Sequence, residues 1–253
     1  MLHAHDIKTA AREVGFVACG IAKVADISPE RQAVHRNFLD EGRQGDMGYL
    51  ERHLPLKVNP ANLLPDAQAV ICVALNYYNP GSPYAARFAQ GHDYHDVMRD
   101  RLYRLAKTLE LPKKSFRPCV DSAPIDEKYW AQRAGIGWQG RNSLIIVPQV
   151  GSFVVLGELL VQEDVDAYDE PIPSQCPPNC RLCMEACPNR ALDETGLDPR
   201  KCLSYFTLEH KSEIPEDIMK KCGTCFYGCD KCAEACPHNR NCPTTDIPEF
   251  LPR

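Results

Sequence analysis

Apolar positions along residues 1–165 repeat with periods that alternate between helix and strand. Ile7, Ala10, Ala11 and Val14 fall at i, i+3, i+4 and i+7 and predict a first helix ending at Gly15. The apolar run 16–21 then predicts a strand. The segment 67–77 (AQAVICVALNY), between Pro65 and Pro80, predicts a buried strand. Val97, Leu102, Leu105 and Leu109 place a helix over 96–109. A short helix is expected over 126–134, closed by Gly135. Two strands follow over 143–147 and 153–161, split by Pro148 and Gly151. This alternation describes a mixed α/β (α+β) domain over 1–165. From Glu163 onward the periodicity ends. Segment 164–178 is acidic, carries Pro171, Pro173, Pro177 and Pro178, and reads as a linker. Short helices and loops are expected over 166–243, then a Pro-rich tail over 244–253.

Composition narrows the class. The chain has 253 residues, 44% apolar and 25% charged, which excludes a disordered chain, a collagen and a coiled coil. No apolar run reaches the ~18–20 residues of a membrane span. The start MLHAHDI lacks the basic start, apolar stretch and cleavage site of a signal peptide. A cytoplasmic protein without a membrane partner is therefore expected. A net charge of −5 argues against a sequence-blind nucleic-acid binder but leaves room for a local basic face. Lys113, Lys114 and Arg117 form one basic patch, expected near the active site, and Lys220 and Lys221 another; both are candidates for phosphate contacts.

The 14 cysteines change the picture most. Three are scattered, and Cys19 and Cys72 sit in apolar strands as core residues. The other eleven lie between Cys176 and Cys242. A disulfide framework needs an oxidising compartment, so metal binding is the expected use. Cys180-x2-Cys183-x3-Cys187-Pro188 recurs as Cys229-x2-Cys232-x3-Cys236-Pro237. In bacterial two-cluster ferredoxins the last cysteine of each such run ligates the other cluster. One [4Fe–4S] cluster would take Cys176, Cys180, Cys183 and Cys236, although three residues rather than two separate Cys176 from Cys180. The second would take Cys187, Cys229 and Cys232, with Cys202, Cys222 or Cys225 as its fourth ligand. A four-thiolate zinc site from Cys222, Cys225, Cys229 and Cys232 is the alternative. The doubled Cys-Pro ending, which zinc does not need, favours iron–sulfur. Gly135, Gly137 and Gly140 have the G-x-G-x-x-G spacing but follow a helix, so they are not a dinucleotide fingerprint.

Upstream, residues 120–160 read VDSAPIDEKYWAQRAGIGWQGRNSLIIVPQVGSFVVLGELL. With LKVNPANLLPDA at Leu56, ALNYY at Ala74, GHDYHDVM at Gly91, KCLSYFTLEH at Lys201 and YGCDKCAEACPHN at Tyr227, this block closely resembles the epoxyqueuosine reductases. These are cobalamin-dependent iron–sulfur enzymes of tRNA queuosine biosynthesis. The resemblance spans nearly the whole chain. It implies that Cys202 completes the second cluster and that a base-off cobalamin sits in the α/β domain, its cobalt facing the clusters. It also implies reduction of the epoxide of epoxyqueuosine in the tRNA anticodon loop, yielding queuosine and water. The general acid would be Asp121, a carboxyl kept protonated by desolvation beside the corrinoid; taken alone, Asp121 reads as a helix cap or turn residue. Asp93 is a second active-site candidate, with helix capping as its other reading. Lys57 matches a corrinoid-contacting position of the family, Ile145 and Leu156 lie in strands that would face the corrin ring, and with Asp121 they make up the expected cobalamin-binding residues. His92 and His95 are not expected to ligate a base-off cobalt. Ala86 stands where some members carry a cysteine. The chain resembles a short form without the C-terminal helical repeats of longer members, expected to be a monomer fed by an unidentified low-potential electron donor. The alternatives are another corrinoid iron–sulfur reductase of dehalogenase type, or a two-cluster electron carrier without a corrinoid.

Overall fold

The computed structural model describes residues 1–252. Its order is α1 (Ala4–Val14), β1 (Ala18–Lys23), α2 (Pro29–Asp40), α3 (Tyr49–Lys57), β2 (Ala69–Asn76), α4 (Tyr94–Thr108), β3 (Phe116–Cys119), α5 (Glu127–Arg133), β4 (Trp138–Gln139), β5 (Ile145–Ile146) and β6 (Val154–Val161). In the cysteine-rich part come α6 (Leu182–Glu185), β7 (Leu192–Asp193), β8 (Gly196–Leu197), α7 (Leu203–Leu208), α8 (Glu216–Cys222) and α9 (Lys231–Glu234). Four strands form one sheet in the order β1-β2-β6-β3, and every neighbouring pair is antiparallel. The architecture is thus α+β, without the parallel crossovers of an α/β sheet. Both sheet faces are covered, which explains why β2 is apolar at almost every position instead of alternating. Helices α1 and α4 pack Ile7, Ala11, Leu102 and Leu105 on Ile71, Val73 and Leu159. On the other face, Trp130 and Ala131 of α5 pack on Cys72, Ala74 and Leu160.

Segment 164–178 has no helix or strand, but it does not swing as a linker. The Leu2 N–H donates to the Asp164 carbonyl (2.8 Å), and the Ala4 and Ile21 N–H groups donate to the Asp166 and Asp169 carboxylates (2.8 and 2.9 Å). The C-terminal stretch is also packed: Ile247 and Phe250 are buried in the α1–α4 core, and the Thr245 N–H donates to Tyr78 O at 2.7 Å. The basic patch of Lys113, Lys114 and Arg117 is not at the active site as expected. Lys113 and Lys114 precede β3, the end opposite Asp121, roughly 20 Å away along the extended chain. Arg117 donates to Leu63 O at 2.7 Å. Lys220 and Lys221 pair with Glu216 and Asp217 on their own helix.

Helices α2 and α3 bury no residue and escaped the periodicity reading. Ser28 caps α2, its Oγ accepting from Arg31 N, with Pro29 in the first turn. An ion cluster then ties α2 to the start of α5. Arg31 donates to both Asp126 oxygens at 2.6 and 2.8 Å, and His35 Nε2 lies 2.7 Å from Oδ2. Asp126 is 6% exposed. Burial alone would raise its pKa, but the bonds from Arg31 and His35 outweigh that and hold the carboxyl far below its ordinary range. Asp126→Ala leaves Arg31 buried without its partner and is expected to cost about 3–5 kcal/mol, read from the urea midpoint. Because the folded pKa is depressed, the contribution is present above the ordinary Asp value of about 4 and is lost as pH falls below it. The gap between wild type and variant should therefore narrow in acid; a constant gap refutes the assignment.

Candidate functional site

The two Cys-Pro runs fold alike: each leads from a loop into a one-turn helix, α6 or α9, and these two helices pack together. The fold returns Cys236 to the first run, so that Cys176, Cys180, Cys183 and Cys236 line one small cavity. Around Cys176 and Cys236 pack Trp138, Ile146 and Ile172. Asn142 Nδ2 and His238 Nε2, on residues lining the same cavity, are buried with no hydrogen-bond partner among the described residues, as is Trp138 Nε1 beside them. Buried donors left unpaired in this way fit a cluster whose sulfurs accept hydrogen bonds. Cys187, Cys202, Cys229 and Cys232 form the second group. After burial, neighbouring thiols of this set push Cys232 up to about 12, and burial carries Cys229 to about 11. Without metal the Cys229 and Cys232 thiols stay protonated, so binding iron there must displace protons. Cys222 packs instead with Leu203 and Ile218, and Cys225 Sγ lies against the carbonyls of Tyr227 and Gly228. Among the described residues, no three His, Cys, Asp or Glu side chains converge on a single-ion site.

The second site is a long cleft. Strand β3 ends at Cys119, opposite Glu158 of β6, and the next residues turn at the mouth of the sheet. The Ala123 N–H donates to Val120 O (2.9 Å), with Asp121 inside the turn at φ +29°. That is a rare conformation for a side-chain-bearing residue, and Asp and Asn are among those that tolerate it. Asp121 is therefore a turn residue; the cap of α5 is Asp126. One cavity at Asp121 is lined by Tyr77, Tyr94, Glu127, Ile145, Val154 and Leu156. An adjoining one is lined by Asp121, Glu127, Tyr49, His53, Lys57 and Lys128. A third, of about 470 Å³, continues from Lys57 and Lys128 to Arg43, Phe38 and Leu54. The cleft thus brings Lys57, Asp121, Ile145 and Leu156 together: an apolar wall with a cationic rim, roomy enough for a large cofactor. Lys57 is not a freely solvated lysine, since burial lowers its pKa.

Asp93 stands outside these cavities. It caps α4, accepting from His95 N at 2.9 Å, and contacts His95 Nδ1 at 2.8 Å. His95 Nε2 in turn lies 3.2 Å from Asp121 Oδ2. The ring links the two aspartates through Asp121 Oδ2, and the Tyr94 phenol hydrogen-bonds to the same carboxylate. Burial, and after it the Asp121 carboxylate, push the Tyr94 phenol well above its ordinary value, so it remains an O–H donor there. The Asp121 side chain is 53% exposed, so the polypeptide alone does not supply the desolvation expected of it. Sequence reasoning missed Tyr94, Glu127, Lys128 and the linking role of His95; nothing in their local spacing marks them. Strand β5 joins the two sites. Ile145 lines the Asp121 cleft, while its neighbour Ile146 lines the four-cysteine cavity, as alternation along a strand requires.

Comparison with known proteins agrees with this layout. The family "Epoxyqueuosine reductase QueG, DUF1730" matches residues 57–122, and "4Fe-4S double cluster binding domain" matches residues 175–239. The chain is 36% identical to the epoxyqueuosine reductase of Cellulophaga algicola over 99% of its own length and 83% of that protein. With the Vibrio cholerae epoxyqueuosine reductase it shares 39% identity, covering 98% of this chain and 70% of the relative. A crystal structure of an epoxyqueuosine reductase with an epoxyqueuosine-modified tRNA stem loop superposes with a TM-score of 0.82 at 29% identity, covering 98% of this chain and 68% of that one. The antiparallel sheet, the doubled cysteine runs and the Asp121 cleft are accordingly those of a member of the epoxyqueuosine reductase family.

Proposed function

We propose that this protein reduces the epoxide of epoxyqueuosine in a tRNA anticodon loop to the cyclopentene of queuosine, releasing water. The observation that carries this reading is strand β5, which sets the Asp121 cleft and the four-cysteine cavity back to back through Ile145 and Ile146. Electrons stored on one side then have a short path to a substrate held on the other. A carrier without a substrate of its own would not need the cleft.

Cys176, Cys180, Cys183 and Cys236 would hold one [4Fe–4S] cluster, and Cys187, Cys202, Cys229 and Cys232 the other. Lys57, Ile145 and Leu156 would hold cobalamin in the cleft, where it supplies a strong two-electron reductant when bound. The protein's own contribution is positioning and proton supply. Breaking the epoxide C–O bond places negative charge on oxygen, so a proton must arrive within hydrogen-bond reach. Asp121, which lines the cleft, would give it, while His95, anchored by Asp93, holds Oδ2. Lys57, Lys128 and Arg43 form a cationic rim suited to the phosphates of a tRNA loop.

The test is anaerobic reconstitution with iron, sulfide and cobalamin, followed by incubation with an epoxyqueuosine-bearing anticodon stem-loop. Conversion to queuosine is expected, and its absence refutes the reading. A second measurement probes the cysteine cavity. Asn142→Asp keeps the Oδ1 that accepts from Leu144 N but removes the Nδ2 donor. The first cluster's reduction potential should fall by an amount on the order of tens of millivolts, read by potentiometric titration with EPR. An unchanged potential removes Asn142 from the cluster's surroundings.

A further inference from the structure

Two carboxyls close to Asp121 have no part in the reaction described so far. Glu158, in the middle of β6, is 0% exposed, and neither of its carboxylate oxygens has a hydrogen-bond partner among the described residues. Its partners in register are Cys72 of β2 and Cys119 of β3. Burial pushes both thiols up, Cys119 to about 12, so they face Glu158 uncharged. Arg117, on the same face of β3, is bonded to Leu63 O. From the helix that packs across β6 come Glu127 and its neighbour Asp126, and Asp126 is already held by Arg31 and His35. Among the described residues no cation is therefore engaged with Glu158, and a bare carboxylate in this setting is strongly disfavoured against the neutral acid. Glu127, at the start of α5, lines both cavities that Asp121 lines, with Lys57 and Lys128 as the cations nearby. Its side chain has no hydrogen-bond partner among the described residues, and burial raises its pKa.

We infer that Glu127 and Glu158 form a proton reserve that reloads Asp121 within one turnover. The inference rests on the reductase reading. Deoxygenation breaks two C–O bonds at the same oxygen, takes up two electrons and two protons, and releases one water. Asp121 gives the first proton as the first C–O bond breaks and is left a carboxylate. Glu127 passes its proton to Asp121, and Asp121 gives it to the hydroxyl as the second C–O bond breaks and water leaves. Glu158 holds the proton that returns Glu127 to its neutral form, and solvent refills both carboxyls after product release. Glu158 is a positioning residue here, acting through Glu127.

Glu158→Gln and Glu127→Gln keep shape and remove the transferable proton. The first arm needs no turnover: infrared spectra of the cluster-loaded protein at neutral pH, in H2O and D2O. A deuterium-sensitive carbonyl band of protonated carboxyls is expected in wild type and should lose intensity in Glu158→Gln and in Glu127→Gln. A wild-type protein without the band overturns the reserve. The second arm is the pH profile of kcat. Each variant should lie about tenfold below wild type at pH 8 and approach it in mild acid, with KM unchanged, because Asp121 must then be reloaded from solvent. Profiles that parallel wild type, whether or not overall activity drops, overturn the relay. If wild type fails to convert epoxyqueuosine while the band is present, the reductase reading falls and the protonated carboxyl stands.

Discussion

Asp121→Asn is expected to lower kcat for epoxyqueuosine reduction by about 10²–10⁴-fold, the usual contribution of a positioned acid. Asparagine has nearly the same shape and tolerates the positive φ that Asp121 adopts in its turn, so the backbone of 120–123 should hold. Its amide can still meet His95, but it has no carboxyl proton to give. The loss should therefore fall on kcat, with cobalamin affinity, measured by spectroscopic titration, close to wild type. Full turnover in Asp121→Asn would remove the acid assignment. A large loss of cobalamin binding would instead make Asp121 part of the cofactor's seat. Asp93→Ala should have a smaller effect of the same kind, since Asp93 reaches Asp121 only through His95.

Removing one cysteine from the first set should have an equally large effect. Cys236→Ala takes away the ligand that the second Cys-Pro run contributes to the first cavity. Reconstituted iron and acid-labile sulfide should fall by about half, because the other four-thiolate set is intact. Turnover should be abolished, since the cavity behind Ile146 would no longer deliver electrons to the cleft behind Ile145. Cys202→Ala should also lose about half of the iron, while Cys222→Ala and Cys225→Ala should keep all of it. Full iron in Cys202→Ala together with loss in Cys225→Ala would reassign the fourth ligand of the second cluster. Unchanged iron in Cys236→Ala would overturn the exchanged-ligand arrangement itself.

Some of this protein was legible in local spacing. The helix α1, the strands β2 and β6 and the helix α4 follow directly from apolar periodicity, because each buries a continuous stripe or a whole strand. The helices α2 and α3 were invisible to the same reading, since they bury no apolar residue and α2 is fastened by the Arg31–His35–Asp126 cluster. Glu158 did leave a trace: a lone carboxylate within the otherwise apolar GELL of a strand buried on both faces. Such an interruption is costly unless something uses it, and its surroundings become apparent only once β2, β3 and α5 are assembled around β6.

What the sequence by itself determined is the chemistry available: two runs of cysteines spaced to hold cubes, a turn aspartate in a recognisable block, and an α+β domain in front of them. Those features are local, set by a few neighbouring residues and the reach of a short loop. The tertiary structure alone decided which groups meet. It brought Cys236 back to Cys176, set His95 between Asp93 and Asp121, buried Glu158 without a partner, and placed the cleft and the cysteine cavity on opposite sides of β5. These are contacts between residues far apart in the chain. They depend on strand register and on how helices pack across a sheet, and no spacing within a single segment encodes either.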